Sequence, residues 1–243
     1  MPGNYHARDR WIEAPLQVSA RNVKAVLTFV LLAFPFCAAA SETALDRYVH
    51  SPDKAFHYEL VKTISAPGYT TYVLAMTSQQ YLSFVEVNRP VWKHWVTIVK
   101  PDQVKTDIAL LFIAGDDNGN AAPEEAEPLN TEIAVTTGAV VATVSMVPNQ
   151  PLVFTDEHRE RSEDAIIAYT WDKFLRTGDE KWPLRLPMTK AAVRAMDAVS
   201  GFLSALPGGS AKVDRFVVSG ESKRAGRRGL RPPLIIGLWR SCR

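Results

Sequence analysis

The 243-residue sequence predicts an α/β fold, a mostly parallel sheet with flanking helices. Three observations carry this. Short β-branched and aromatic runs alternate with segments of helical periodicity. One run, Ile108–Ala114 (IALLFIA), is continuously apolar, as a strand buried on both faces must be. It passes directly into glycine and acids, as a parallel strand does on entering a loop. With 47% hydrophobic residues, a chain of this length buries a sizeable core without covalent staples.

Residues 25–40 (AVLTFVLLAFPFCAAA) lie behind Arg21 and Lys24 and end in Ala38-Ala39-Ala40. A basic flank, a short apolar core and small residues at A-x-A spacing predict a signal peptide with an amino-terminal extension over 1–40, cleaved after Ala40. The run falls short of the roughly 20 residues a membrane helix needs. No stable membrane span is therefore expected after cleavage, and the expected location is secreted or periplasmic, in the cell envelope. Phe36 before Cys37 argues against a lipoprotein signal, and Cys37 departs with the leader.

Residues 41–68 open with a helical turn and continue as a polar segment to Pro67-Gly68. Thr70–Met76 reads as a strand, and so does Val91–Val99 between Pro90 and Pro101. After Ile108–Ala114 comes the turn Gly115-Asp116-Asp117-Asn118-Gly119, then an acidic loop. A helix is expected at Asn130–Thr137, a strand at Ala139–Met146 and a firm turn at Pro148–Pro151. Asp164–Arg176 carries Ile167, Ala168, Trp171, Phe174 and Leu175 at helical spacing. Thr189–Leu206 is the clearest helix, with Ala192, Val193, Met196, Val199, Phe202, Leu203 and Leu206 in its stripe. Val213–Val218 is the last strand. No strand ends in a nucleotide-binding glycine fingerprint, and no cofactor is expected.

The formal charge of +2 is unevenly spread. Residues 225–243 hold five arginines and no acid, and residues 1–40 are also net basic, which leaves the body acidic. A nucleic-acid binder needs a basic face on its folded part, so that class is set aside. Two cysteines exclude a disulfide scaffold and a Cys-based metal cluster. The acids and histidine at Asp156, Glu157, His158, Glu160, Glu163 and Asp164 follow no ligand spacing, and no metal site is expected. His94, inside an apolar strand pattern, reads as structural or exposed.

The segment after the long helix carries the chemistry. A short apolar strand ends in Gly220-Glu221-Ser222. Hydrolases of the α/β class place their nucleophile on such a strand-to-helix turn, where glycine lets the chain through the crowded elbow. Ser222 is the candidate nucleophile. The Lys223 N–H is one candidate oxyanion donor, and the Gly115-Asp116 loop, after another central strand, is the other. Gly-x-Ser alone is a common string, and more often marks a serine that caps a helix or lies in a loop. Arg224 stands where the elbow's second glycine would be. No His, Asp or Glu follows Ser222, although the acid and base of this class normally do.

Five strings together, VWKHWVTIVKP (91–101), VPNQPLVFTDE (147–157), RSEDAIIAYTWDKFL (161–175), WPLRLPMTKAAVRAMDAV (182–199) and VDRFVVSGESKR (213–224), resemble the PhoPQ-activated pathogenicity-related protein family. The resemblance covers residues 42–224. It implies an α/β-hydrolase-like fold, commonly secreted or envelope-associated, with the family's Ser-Gly-Ala-Ser-Lys-Arg-Gly elbow falling on Ser219–Arg224 and Ser222 as nucleophile. Glu221 departs from the family's small residue, and acids replace small residues in the Gly115 loop.

The resemblance stops at Ala225. The family continues with a segment like Gly-Trp-Thr-Thr-Trp-Leu-Thr-Ala. Loss of one nucleotide from codons for that segment yields Ala-Gly-Arg-Arg-Gly-Leu-Arg-Pro, the sequence at 225–232. The expected organisation is thus a leader (1–40), a partial hydrolase-like domain (41–224) whose sheet stops after the elbow strand, and an out-of-frame tail (225–243). The expected function is a secreted serine-hydrolase-like protein of peptidase or esterase class, inactive in this form for want of the acid and histidine. The alternative is a non-catalytic binding or signalling protein on the same fold, with a small-molecule, peptide or protein partner.

Overall fold

A computed structural model of the protein describes residues 42–207, 212–220 and 238–240, the last three as backbone. The expected signal peptide, both cysteines, Glu221, Ser222, Lys223 and most of the expected tail lie outside the described residues. The chain runs α1 (Ala44–His50), β1 (His57–Ala66), β2 (Tyr69–Gln80), β3 (Val91–Pro101), β4 (Ile108–Ile113), α2 (Pro128–Thr137), β5 (Val141–Val144), β6 (Leu152–Val153), β7 (Glu160–Arg161), α3 (Asp164–Thr177), α4 (Arg185–Ala205), β8 (Arg215–Gly220) and β9 (Leu238–Arg240).

Seven strands form one sheet in the order β1-β2-β3-β5-β4-β8-β9, while β6 and β7 pair separately. The centre, β5-β4-β8, is parallel. β1, β2 and β3 form an antiparallel wing joined to β5. The fold is α/β-hydrolase-like, with a mixed sheet whose parallel character is confined to the middle. β1 occupies the segment expected to be merely polar. An edge strand needs only one buried face, so HYELVKTISA shows no continuous apolar run. Beyond the elbow strand the sheet gains β9, antiparallel to β8, where sequence reasoning ended it. Backbone pairing makes little demand on side-chain identity, so three residues suffice for an edge.

Helices cover both faces. α4 lies over the main core, burying Met188, Ala191, Ala192, Ala195, Met196, Val199 and Leu203. These meet Ile98, Leu111, Ala142, Val144 and Phe216 from the sheet. Small alanines at this spacing let the helix approach closely, and each large apolar side chain buried there contributes about 1.5–3 kcal/mol. The helix begins at Arg185, four residues before the expected start, because Pro187 falls in the first turn, where its missing N–H costs nothing. The opposite face holds a smaller cluster of Val99, Ala134 and Val141 beneath α2.

α3 turns differently from its expected stripe. Its buried residues are Ile166, Tyr169 and Thr170, whereas Trp171 and Leu175 are exposed. Tyr169 stacks on Phe154 with centroids 4.0 Å apart, and the Thr170 hydroxyl accepts the Leu184 N–H at 3.2 Å. Polar atoms with partners won this face over bulkier apolar ones.

Candidate functional site

The parallel register sets the site. Phe112 lies opposite Ser219 and Ile113 opposite Gly220, on strands that end together. Ser219 and Gly220 are buried. The loop of Gly115 and Asp116 therefore leaves the sheet beside Gly220, the last described residue before Ser222 in the chain. Neighbouring strands lie about 4.8 Å apart. The Gly115–Asp116 loop and the described end of the elbow strand, Gly220, thus lie at one edge, at the carboxyl ends of strands whose connections diverge; Lys223 lies outside the described residues. β4 leads through α2 to β5 on one side, and β5 leads through α3 and α4 to β8 on the other, which makes this the topological switch point.

The Gly115 loop is tied to the chain leaving β5. The Ala114 N–H donates to the Val144 carbonyl at 2.8 Å, Met146 N–H to Gly115 carbonyl at 2.7 Å, and Val147 N–H to Ala114 carbonyl at 3.2 Å. Among the described residues, the Gly115 and Asp116 amides donate to no partner. Asp116 holds a φ of 116° and Met146 one of 61°, both unusual for side chains. Asp116 Oδ1 accepts the Asp117 N–H at 3.0 Å and also the Asn120 amide. The Asn118 N–H donates to the Gln150 carbonyl and its side-chain amide to the Pro151 carbonyl. Gln150 donates to Glu163 at 2.9 Å and to Asp117 at 3.2 Å.

His94 fastens this assembly from beneath. It is buried, and its Nδ1 donates to the Ser145 carbonyl at 3.0 Å. A neutral ring then accepts the Ser78 hydroxyl at Nε2, at 2.9 Å. Burial lowers its pKa to about 4, against the Ser145 and Met146 backbone, which favours the charged form. His94 is therefore a structural histidine held neutral, one carbonyl away from the residues that support Gly115.

The acidic cluster at 156–164 is occupied by cations and a phenol. Asp156 accepts Tyr169 Oη and Lys173 Nζ, both at 2.5 Å, and Glu157 takes Arg161 by both guanidinium branches. The bond from Lys173, then that from Tyr169, holds the Asp156 carboxyl below its ordinary pKa. His158 is exposed and lies in that cluster, away from the elbow strand in the chain and unpaired with it in the sheet.

Sequence reasoning missed the fastening residues Asn149, Gln150 and His94 as a unit. The alternation in VWKHW was a usable signal: it sends Trp92 and His94 to the core and Val91, Lys93 and Trp95 to the other face. No helix among the described residues is long and apolar enough to cross a membrane.

The sequence profile described as PhoPQ-activated pathogenicity-related protein matches residues 45–226. Autocrine proliferation repressor protein A of Dictyostelium discoideum is 36% identical over 197 residues, covering 80% of this chain. The chain spans 39% of the length of that relative. Among solved structures, a putative acetyl xylan esterase from Bacteroides fragilis matches with a TM-score of 0.43 and 14% identity, over 74% of this chain and 45% of that one. An acetyl xylan esterase from Paenibacillus sp. R4 gives 0.43 and 14%, over 75% and 50%. A glucuronoyl esterase from Solibacter usitatus gives 0.38 and 11%, over 75% and 51%.

Proposed function

We propose, from the premise that this chain belongs to the PhoPQ-activated pathogenicity-related protein family, that its elbow belongs to an acyl-transfer site of serine-hydrolase type, in a secreted or cell-envelope protein. Ser222 is the attacking group, and the amides of Lys223 and of the Gly115–Asp116 loop take the developing oxyanion. The observation that supports the reading is the register: Ile113 pairs with Gly220, so the loop with two unused amides begins beside the residue that leads into the elbow. The attack adds Ser222 Oγ to an acyl carbonyl, the leaving group departs with a proton, and water releases the acyl group. Ser222 needs a base to accept its proton, and the residues described supply none at the elbow. His94 is committed to Ser78 and Ser145.

A second reading, binding or signalling without turnover, is favoured by Asp116. A carboxylate exposed in the loop offered as oxyanion donor opposes negative charge there. The repressor named among the relatives is in keeping with it, since that name describes an effect on proliferation and not a reaction.

A fluorophosphonate probe separates the two. It is applied to the 243-residue chain and to a version continuing from Arg224 with the family's Gly-Trp-Thr-Thr-Trp-Leu-Thr-Ala. Labelling in either that S222A abolishes supports acyl transfer. Absence of labelling in both, with cooperative melting intact, moves the assignment to binding.

A further inference from the structure

A cleft of about 400 Å³ opens beside the β4 loop, between the β2–β3 connection and the first half of β3. That volume is in the range of small-molecule sites. Part of the lining is aromatic. Phe84 is 71% exposed at the tip of its connection, an expensive place for a large apolar ring with nothing against it. Trp95 faces the same space, and its indole N–H is already spent on the Asn120 carbonyl at 2.9 Å, leaving the ring as the contact surface.

The lining is also cationic. Arg89 and Lys93 line the cleft and no carboxylate does. Among the described residues neither has an ion-pair partner, whereas Arg47, Lys62, Arg161, Lys173, Arg176, Lys181 and Arg215 all have one. Both cations spring from fixed backbone. The buried Asn149 side chain accepts the Lys93 N–H and donates to the Lys93 carbonyl, each at 2.8 Å. Asn88, next to Arg89, exchanges bonds with Val153, its N–H donating at 3.0 Å and its Oδ1 accepting at 2.9 Å. A rigid base beneath an unpaired charge lowers the ordering cost of binding an anion.

We propose that this cleft binds a ligand in which a carboxylate is joined to a flat apolar body, the carboxylate on Arg89 and Lys93 and the body between Phe84 and Trp95. Free aromatic carboxylic acids and peptides ending in an aromatic residue share that chemistry. The proposal uses no property of Ser222 and goes beyond the acyl-transfer reading.

The test titrates the full-length S222A chain, so that turnover cannot intrude, with N-acetylphenylalanine, with its uncharged amide and with Ala-Ala-Phe bearing a free carboxyl terminus. Binding is followed by NMR shifts. The acid binds, the amide binds at least about tenfold more weakly, and the R89Q/K93Q double variant loses at least about tenfold for the acid. F84A weakens both acids severalfold. All three changed side chains are exposed, so melting temperature stays at the S222A value. A tripeptide that binds more tightly than the amino acid makes the peptide end the source, and equal binding makes it the free acid. Equal binding of acid and amide, absence of binding by either acid, or unchanged affinity in R89Q/K93Q overturns the proposal. Each of those results leaves the probe labelling at Ser222 unaffected, so the two readings fail separately.

Discussion

The two ends of the parallel strands are built to different rules. At the amino ends, Asp107 just before β4 takes the guanidinium of Arg215 at the start of β8, and the Lys105 N–H donates to the Gly138 carbonyl at 2.8 Å. The one left-handed position there, φ 70°, is given to glycine, and a Cβ on Gly138 would fall 2.7 Å from the Lys105 side chain. At the carboxyl ends two left-handed positions carry side chains, Asp116 and Met146, besides Gly119 at φ 91°. One end is assembled from cheap conformations and exposed charge. The other keeps costly conformations at Asp116 and Met146 and holds them with hydrogen bonds, as chains do where a loop must present particular groups.

The largest test of that difference is at His94. Its folded pKa of about 4 lies below the ordinary 6.5, so the unfolded chain binds the extra proton first as pH falls. The sign follows: stability is full above the unfolded value and declines through the interval down to about 4. Between about pH 7 and pH 5 this single group removes roughly 2 kcal/mol. Urea unfolding should show that slope in the wild type and lose most of it in H94Q, which also starts lower because the Ser145 carbonyl loses its donor. Carboxylates with lowered pKa values, such as Asp156 and Glu86, respond only at more acid pH. An unchanged slope in H94Q would mean that the carboxyl-end loops do not depend on a neutral imidazole.

A smaller effect separates strain from hydrogen bonding at Asp116. Glycine accepts a φ of 116° freely, while alanine keeps the strain and loses the carboxylate's bonds to Asp117 and Asn120. D116G should therefore be more stable than D116A by about 1–2 kcal/mol, measured by thermal melting. Equal stabilities would show that the loop relaxes and that the contrast between the two ends is one of sequence alone.

How much of this was legible beforehand follows the same division. Ile108–Ala114 announced a central strand because burial on both faces forbids polar residues, and the turn at Gly115 followed from its composition. The long helix was visible because its stripe repeats over five turns. β1 was invisible, since an edge strand with Glu59, Lys62 and Thr63 has the composition of a loop. The buried face of α3 was misread because Tyr169 and Thr170 are buried through partners that lie far along the chain, Phe154 and Leu184. The elbow could be named from Gly220 and Ser222, and the Gly115 loop from its glycine. That Ile113 and Gly220, the residues leading into them, lie side by side came only from the register of β4 on β8, which no local pattern encodes. The cleft behind Lys93 was likewise hidden, because Phe84 and Arg89 reach it from a connection with no periodicity.

The weakest effect should come from the amino ends. The Asp107 and Arg215 side chains are 43% and 35% exposed, so water and salt share their field. The hydrogen bond from Arg215 is the main reason the Asp107 carboxyl lies below its ordinary value of 3.8. A lowered carboxylate pKa stabilises the folded state above the unfolded pKa and ceases to do so as pH falls through the folded one. D107N should thus lower the melting temperature slightly at neutral pH and low salt, and the difference should shrink as salt rises toward about 0.5 M, where the screening length is only a few ångströms. It should shrink again as the pH falls beneath the ordinary carboxylate range and the wild-type carboxyl is itself protonated at its lowered pKa. Between about pH 7 and pH 5, the interval in which His94 acts, the D107N difference should stay constant. A D107N deficit that persisted in high salt would mean that the pair is a packed, oriented contact, and that the two ends are held by one kind of interaction after all.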